Sequence, residues 1–126
     1  MQAYLLVGTG GAIGAMGRYG FSVLVGHFWR TSFPLATLMI NVLGSLAMGL
    51  LVGYLARTLP PLQNELRLFV AVGVLGGFTT FSAFSLDAIT LIERGQWGHA
   101  IVYALLSVIT SITALFLGLL VMRLTA

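Results

Sequence analysis

A row of hydroxyl groups lies along the last apolar stretch of the sequence. Tyr103, Ser107 and Ser111 follow one another at intervals of four residues, and Ala114 and Gly118 extend the same helical face. On an α-helix this spacing places all three hydroxyls on one side. Such hydroxyls can bond carbonyls of their own helix, or they can line a path for a polar solute. The pattern leaves both interpretations open.

A second polar run interrupts the third apolar stretch. Gly76 and Gly77 are adjacent there, and Thr79 and Thr80 follow them. Glycine and β-branched threonine both weaken a helix. A break within a membrane frees backbone carbonyls that need another partner, and transporters use such breaks to hold cations. The pattern therefore predicts a broken helix at the Gly76-Gly77 pair.

Three further side chains offer weak donors to an anion. Phe81 and Phe84 lie three residues apart and share a face if that segment is helical. The edge of an aromatic ring is positive, so it can contact an anion without a full charge. Asn41 carries two amide N–H donors within the second apolar stretch. The alternatives are core packing for the two rings and a link between helices for the amide.

Ionisable residues are rare, and none forms a catalytic pattern. Arg18 and Asp87 lie within apolar stretches, where an ionisable group is a functional candidate. A structural cap or an Arg–Asp pair explains them equally well. His27 and His99 fall in loops, and no cluster has the spacing of metal ligands. No serine has the surroundings of a nucleophile elbow, so we expect no enzymatic activity.

Composition excludes a soluble fold. The chain has 126 residues, of which 59% are hydrophobic and 7% are charged, and it has no cysteine. A soluble domain carries about 25% charged residues. Lack of cysteine excludes a disulfide scaffold and a thiolate metal site. The six basic residues are single, scattered arginines, so there is no footprint for nucleic acid.

The elements that must position these groups are membrane helices. A span needs about 20 mostly apolar residues, and residues 3–26, 35–55, 68–92 and 100–122 satisfy this. Lipid admits helices or closed barrels. We therefore predict an all-α integral membrane protein, a single domain over residues 1–126 with four transmembrane helices, the third broken at mid-membrane.

The arginines do not select an orientation for these four spans. Arg57, Arg67 and Arg123 would lie on one side, and Arg30 and Arg94 on the other, joined by Arg18 if its side chain extends to that side. The positive-inside rule needs an excess on one side, so either a partner decides or the protein inserts both ways. Small residues at intervals of three or four also let helices approach closely. Since four helices enclose little interior, we expect some of these faces to meet a second subunit.

These features together resemble the Fluc (CrcB-like) fluoride channels of microorganisms. The resemblance covers essentially the whole chain. It rests on Arg18 in a glycine-rich first helix, on Thr37 with the run Asn41-Val42-Leu43-Gly44, on the run Gly76-Gly77-Phe78-Thr79-Thr80-Phe81-Ser82-Ala83-Phe84-Ser85, and on Ser107 with Ser111. The departures are mild: Phe78, Ala83 and Asp87 stand where the family often has Leu, Thr and Glu.

The resemblance implies an antiparallel, dual-topology homodimer with two pores in the cell inner membrane. It implies a passive channel that exports fluoride and so lowers its toxicity. The fluoride path would be lined by Asn41, Phe81, Phe84, Tyr103, Ser107 and Ser111. The backbone carbonyls of Gly76 and Thr79 from both subunits would hold one structural Na⁺ at the dimer centre. Candidates for supporting roles are Arg18, Thr37, Thr80, Ser82 and Asp87.

Two other functions are compatible with the size of the chain. A small four-helix drug or cation exporter of mixed orientation depends on an acidic residue in its first helix, whereas the first helix here carries Arg18 and no acid. A non-transporting assembly subunit would use the glycine faces for packing but leaves the polar run at residues 76–85 unexplained. Fluoride efflux that needs no proton gradient distinguishes the channel from both.

Overall fold

The chain is helical along its length in a computed structural model that describes residues 1–125. In chain order the elements are α1 (Gln2–Phe28), α2 (Leu35–Thr58), α3 (Gln63–Leu66), a π-helix (Arg67–Leu75), α4 (Gly76–Phe78), α5 (Phe81–Glu93) and α6 (Trp97–Leu124). No strand occurs within residues 1–125. The all-α prediction is confirmed.

Among the described residues, three helical segments are long and apolar enough to cross a membrane, namely Leu35–Thr58, Gln63–Glu93 and Trp97–Leu124. They agree with the predicted integral membrane protein. The remaining long helix, α1, has 27 residues, and at about 1.5 Å per residue it is longer than a hydrocarbon core of about 30 Å. Arg18 and several glycines make α1 less apolar than the other three segments. Whether α1 also crosses the membrane is therefore inferred from its packing against those segments.

Helices α2 and α6 pack side by side in the same direction. A Cβ atom added to Gly49 would collide with the carbonyl oxygen of Leu115, and one added to Gly53 would lie 2.7 Å from Cβ of Met122. Contacts therefore advance along both helices together, and the helices are parallel. Gly49 and Gly53, two small residues four positions apart on α2, therefore act as close-packing positions within one subunit.

Helix α1 packs in the same manner against the π-helix. Cβ atoms added to Gly10 and Gly14 would collide with the carbonyl oxygens of Phe69 and Val74 respectively. Since both members of each pair advance together, α1 runs parallel to the first half of the Gln63–Glu93 segment. Parallel neighbours need a returning element between them, and α2 supplies it.

The third apolar segment is interrupted at Thr79 and Thr80. Helix α4 ends at Phe78, and the next two residues are extended, with φ −78° and ψ 159° at Thr79 and φ −155° and ψ 120° at Thr80. The break therefore lies two residues beyond the predicted Gly76-Gly77 pair. The glycine at 77 has another use, because a Cβ there would lie 2.6 Å from the carbonyl oxygen of Gly11.

The sequence also gave no indication of the nine-residue π-helix that precedes the break. Helices of this kind are rare and usually a single turn long. Helix α5 begins after the break with a threonine cap, since Thr80 Oγ1 accepts a hydrogen bond from the backbone N–H of Ala83 at 3.1 Å. The chain thus changes helix type, stops and restarts within about fifteen residues, next to α1 and α2.

Candidate functional site

A pocket of about 330 Å³ opens where the break faces α2 and α6. Its ten lining residues are all uncharged: Asn41, Ser45, Thr79, Thr80, Phe81, Phe84, Ser107, Val108, Ser111 and Ile112. Five of the six predicted path residues are thereby brought together from three helical segments. A pocket built from amide, hydroxyl and aromatic groups offers many weak donors and no fixed charge.

The α6 wall of the pocket carries two hydroxyls that bond nothing in the protein. Ser107 is 6% exposed, and the Oγ atoms of Ser107 and Ser111 are buried with no hydrogen-bond partner among residues 1–125. Their neighbour Thr110 does donate to the carbonyl four residues earlier. Because buried hydroxyls nearly always have a partner, these two are available to a ligand.

Asn41 connects α2 to the break through both ends of its amide. Its Oδ1 accepts from the backbone N–H of Thr80 at 2.8 Å, and its Nδ2 donates to the carbonyl oxygen of Thr80 at 3.0 Å. The same side chain lines the pocket, and an amide nitrogen carries two N–H groups. The structural and ligand-facing interpretations of Asn41 are therefore compatible.

The two phenylalanines at the start of α5 differ in burial. Phe81 is 77% exposed, whereas Phe84 is half-buried, with its ring centroid 5.1 Å from that of Tyr103. Their own centroids lie 5.5 Å apart, with the rings tilted by 46°. Within the single chain, core packing accounts for Phe84 but does not account for Phe81.

Tyr103 lies behind the pocket and not in its lining. It is fully buried, beside Leu91 and Ala100, where α5 meets α6. Its hydroxyl donates to Oδ2 of Asp87 at 3.1 Å, and Thr37 lies against the same phenol. These three polar residues form one group next to Phe84, whose ring packs against that of Tyr103.

Arg18 and Asp87 do not pair with each other. The Nε atom of Arg18 donates to the carbonyl oxygen of Gly77 at 3.2 Å, while Asp87 accepts from Tyr103. The guanidinium thus supplies a donor to the end of α4, where the helix provides none. Arg18 therefore contacts the end of α4 from α1, whereas Asn41 contacts the break from α2.

Two carbonyls at the break lack the partner that a continuous helix would give. The N–H of Thr80 bonds Asn41 and not the carbonyl of Gly76, and the N–H of Ala83 bonds the Thr80 hydroxyl and not the carbonyl of Thr79. Carbonyl oxygens suit a hard monovalent cation. The backbone at these two positions therefore fits the predicted cation site.

The sequence pattern of one protein family, described as "CrcB-like protein, Camphor Resistance (CrcB)", matches residues 5–119. The chain belongs to this family. Its relatives include a protein from Chelativorans sp. (strain BNC1), 54% identical over 94% of both chains, and one from Rhodospirillum centenum, 49% identical over 98% of this chain and 97% of the relative. A third, from Agrobacterium fabrum, is 51% identical over 90% of each chain. Each of the three relatives is named "Fluoride-specific ion channel FluC".

The pocket of this CrcB-like chain also contains Ser45, a polar residue that is not among the predicted site residues. Ser45 lines the pocket together with Asn41, and it is one of the small residues at intervals of three or four that predict close helix packing. The available signal was its spacing, since Ser45 follows Asn41 by four residues and must share its face. Of the remaining predicted residues, Gly76, Tyr103, Arg18, Thr37, Ser82 and Asp87 lie outside the pocket lining.

Proposed function

We propose that this CrcB-like protein is a fluoride-selective passive channel that lets fluoride leave the cytoplasm and so lowers its toxicity. The observation that carries the proposal is the pair of buried, unpartnered hydroxyls of Ser107 and Ser111 in a neutral pocket. The names of the full-length relatives point to the same ion.

The chemistry of the pocket suits a small, strongly hydrated anion. A pore must replace the hydration of fluoride while still letting the ion leave, which several weak donors do better than one strong charge. The amide of Asn41, the hydroxyls of α6 and the ring edges of Phe81 and Phe84 are donors of this kind. Fluoride enters a cell as the weak acid HF, which dissociates inside and raises the concentration of fluoride in the cytoplasm. A passive path then lets fluoride leave down its gradient.

The test is fluoride efflux from liposomes that contain the purified protein, followed with a fluoride electrode. We expect rapid fluoride efflux, little chloride efflux and no need for a proton gradient. Protein-free liposomes give the background. A requirement for a proton gradient would indicate an exporter, and liposomes no leakier than the background would indicate an assembly subunit.

We extend the proposal to four spans and an antiparallel homodimer in the inner membrane. Support for the fourth span is the parallel packing of α1 against a segment that is itself apolar enough to cross. Support for dual orientation is the near balance of Arg57, Arg67 and Arg123 against Arg30 and Arg94. Adding two lysines to loops of one side should fix the orientation. Each fixed form should be inactive alone, and a mixture should conduct; conduction by one form alone would refute the antiparallel dimer.

We also propose one structural Na⁺ at the dimer centre, held by the carbonyls of Gly76 and Thr79 of both subunits. The fit rests on the two carbonyls freed at the break. When bound, the ion would supply a positive charge near the fluoride path without entering it. Replacing Na⁺ on both sides with a bulky organic cation should abolish efflux. Unchanged efflux after thorough depletion would contradict the proposal.

A further inference from the structure

The break is held against α2 by a close contact that leaves no room for one methyl group. Gly44 is buried on α2, one turn after Asn41. A Cβ atom added to Gly44 would overlap Cγ2 of Thr79 and would lie 3.5 Å from Cδ2 of Phe78. The methyl group of Thr79 therefore occupies the space that a side chain at residue 44 would fill.

Thr79 cannot easily turn this methyl group away. Its hydroxyl donates to the carbonyl oxygen of Leu75 at 2.9 Å, and its backbone N–H donates to the same carbonyl at 3.0 Å. The first of these bonds fixes the side-chain rotamer, which directs Cγ2 toward α2. Another rotamer would forfeit the hydroxyl bond inside a half-buried site.

The backbone of the break cannot retreat from α2 either. Asn41 holds both backbone groups of Thr80 at 2.8 and 3.0 Å, so the residue after Thr79 is tied to the helix that carries Gly44. A methyl group at residue 44 must then displace Thr79, stretch the Asn41 bonds or separate the helices. Each of these changes moves the carbonyl of Thr79.

We propose that Gly44 is a positioning residue for the ion path, because its missing side chain seats the methyl group of Thr79 and so sets the place of the break. The inference rests on the proposed channel function. It predicts that Gly44→Ala lowers flux because of a single steric clash, between the added methyl group and the methyl group of Thr79. Removing the other methyl, by Thr79→Ser, should therefore relieve that loss while the hydroxyl bond to Leu75 is kept.

The experiment is a double-mutant cycle on the full-length protein in liposomes, with fluoride flux expressed per assembled dimer. Gly44→Ala should lower flux by more than about tenfold in the wild-type background, and by less than about twofold when Thr79→Ser is already present. The matched control is Gly49→Ala on the same helix, whose added methyl would meet the carbonyl of Leu115 and not a side chain. Its effect should be the same in both backgrounds.

The thermal midpoint of each variant in detergent completes the same cycle without reference to transport. Recovery by Thr79→Ser in the midpoint and in flux supports the proposal, including the case in which Gly44→Ala alone does not assemble. Full flux in Gly44→Ala, or a loss that Thr79→Ser does not relieve, would overturn it. Absence of flux in the wild-type protein would instead refute the channel function, and the midpoint cycle would still decide the role of Gly44.

Discussion

Replacing Asn41 with alanine should release the break from α2. The variant loses the two hydrogen bonds to the backbone of Thr80, at 2.8 and 3.0 Å. An intramolecular hydrogen bond contributes about 1 kcal/mol net, and a buried group left unpaired costs about 1–3 kcal/mol. Because Thr80 is half-buried, the lower part of this range applies, or about 2–3 kcal/mol for the pair. The displaced form of the break should then become roughly 30- to 150-fold more populated.

Hydrogen exchange read by mass spectrometry measures this directly on peptides that cover the break. We expect peptides containing the Thr80 amide to exchange faster in Asn41→Ala and fluoride flux per dimer to fall. Asn41→Asp is the matched variant, since it keeps an oxygen acceptor for the Thr80 N–H but places a negative charge on the pocket. It should retain only part of the protection of that amide, because the donor to the Thr80 carbonyl is lost, and it should still lose flux. Unchanged exchange and flux in Asn41→Ala would refute the reasoning.

Three other substitutions separate ion contact from packing. Phe81→Ile should leave the fold of the subunit intact, because Phe81 is 77% exposed in the single chain. It should lower flux per assembled dimer by about tenfold or more, since an aliphatic group lacks the positive ring edge. Full flux per dimer would return Phe81 to a packing role. Ser45→Ala should reduce flux without changing the thermal midpoint. The efflux assay and a thermal melt of the same variant measure the two quantities. Gly118→Val should lower the thermal midpoint and dimer yield, because even the first added carbon would lie 2.7 Å from the carbonyl oxygen of Leu46; an unchanged midpoint would show that α2 and α6 tolerate separation.

The sequence alone determined the class of the protein, because its composition indicates whether the surface faces water or lipid. A chain that is 59% hydrophobic and 7% charged cannot cover a surface with polar groups, so membrane helices follow without any tertiary information. The spacing of Ser107 and Ser111 likewise fixed a shared face, because helical geometry depends only on chain position. The long specific run at residues 76–85 indicated the family in the same local manner.

The local sequence pattern did not predict the exact place of the break, because a contact with another helix decides it. Adjacent glycines at 76 and 77 indicated a break there, since glycine weakens a helix. The structure uses Gly77 for its closeness to Gly11 on α1 and interrupts the helix at Thr79 and Thr80. A glycine can interrupt a helix or allow another helix to approach closely. Which of these it does depends on the neighbouring helix, and the sequence around residue 77 does not show which helix that is.

The partners of the polar groups were also decided by tertiary structure. The residue types made Arg18 and Asp87 candidates for one ion pair, yet Arg18 bonds the Gly77 carbonyl and Asp87 bonds Tyr103. Ser107 has a carbonyl four residues earlier within reach by sequence and does not use it. A hydrogen bond depends on which groups from distant segments come within about 3 Å of each other. That distance is set by how α1, α2 and α6 pack around the break, which is information that no single segment carries.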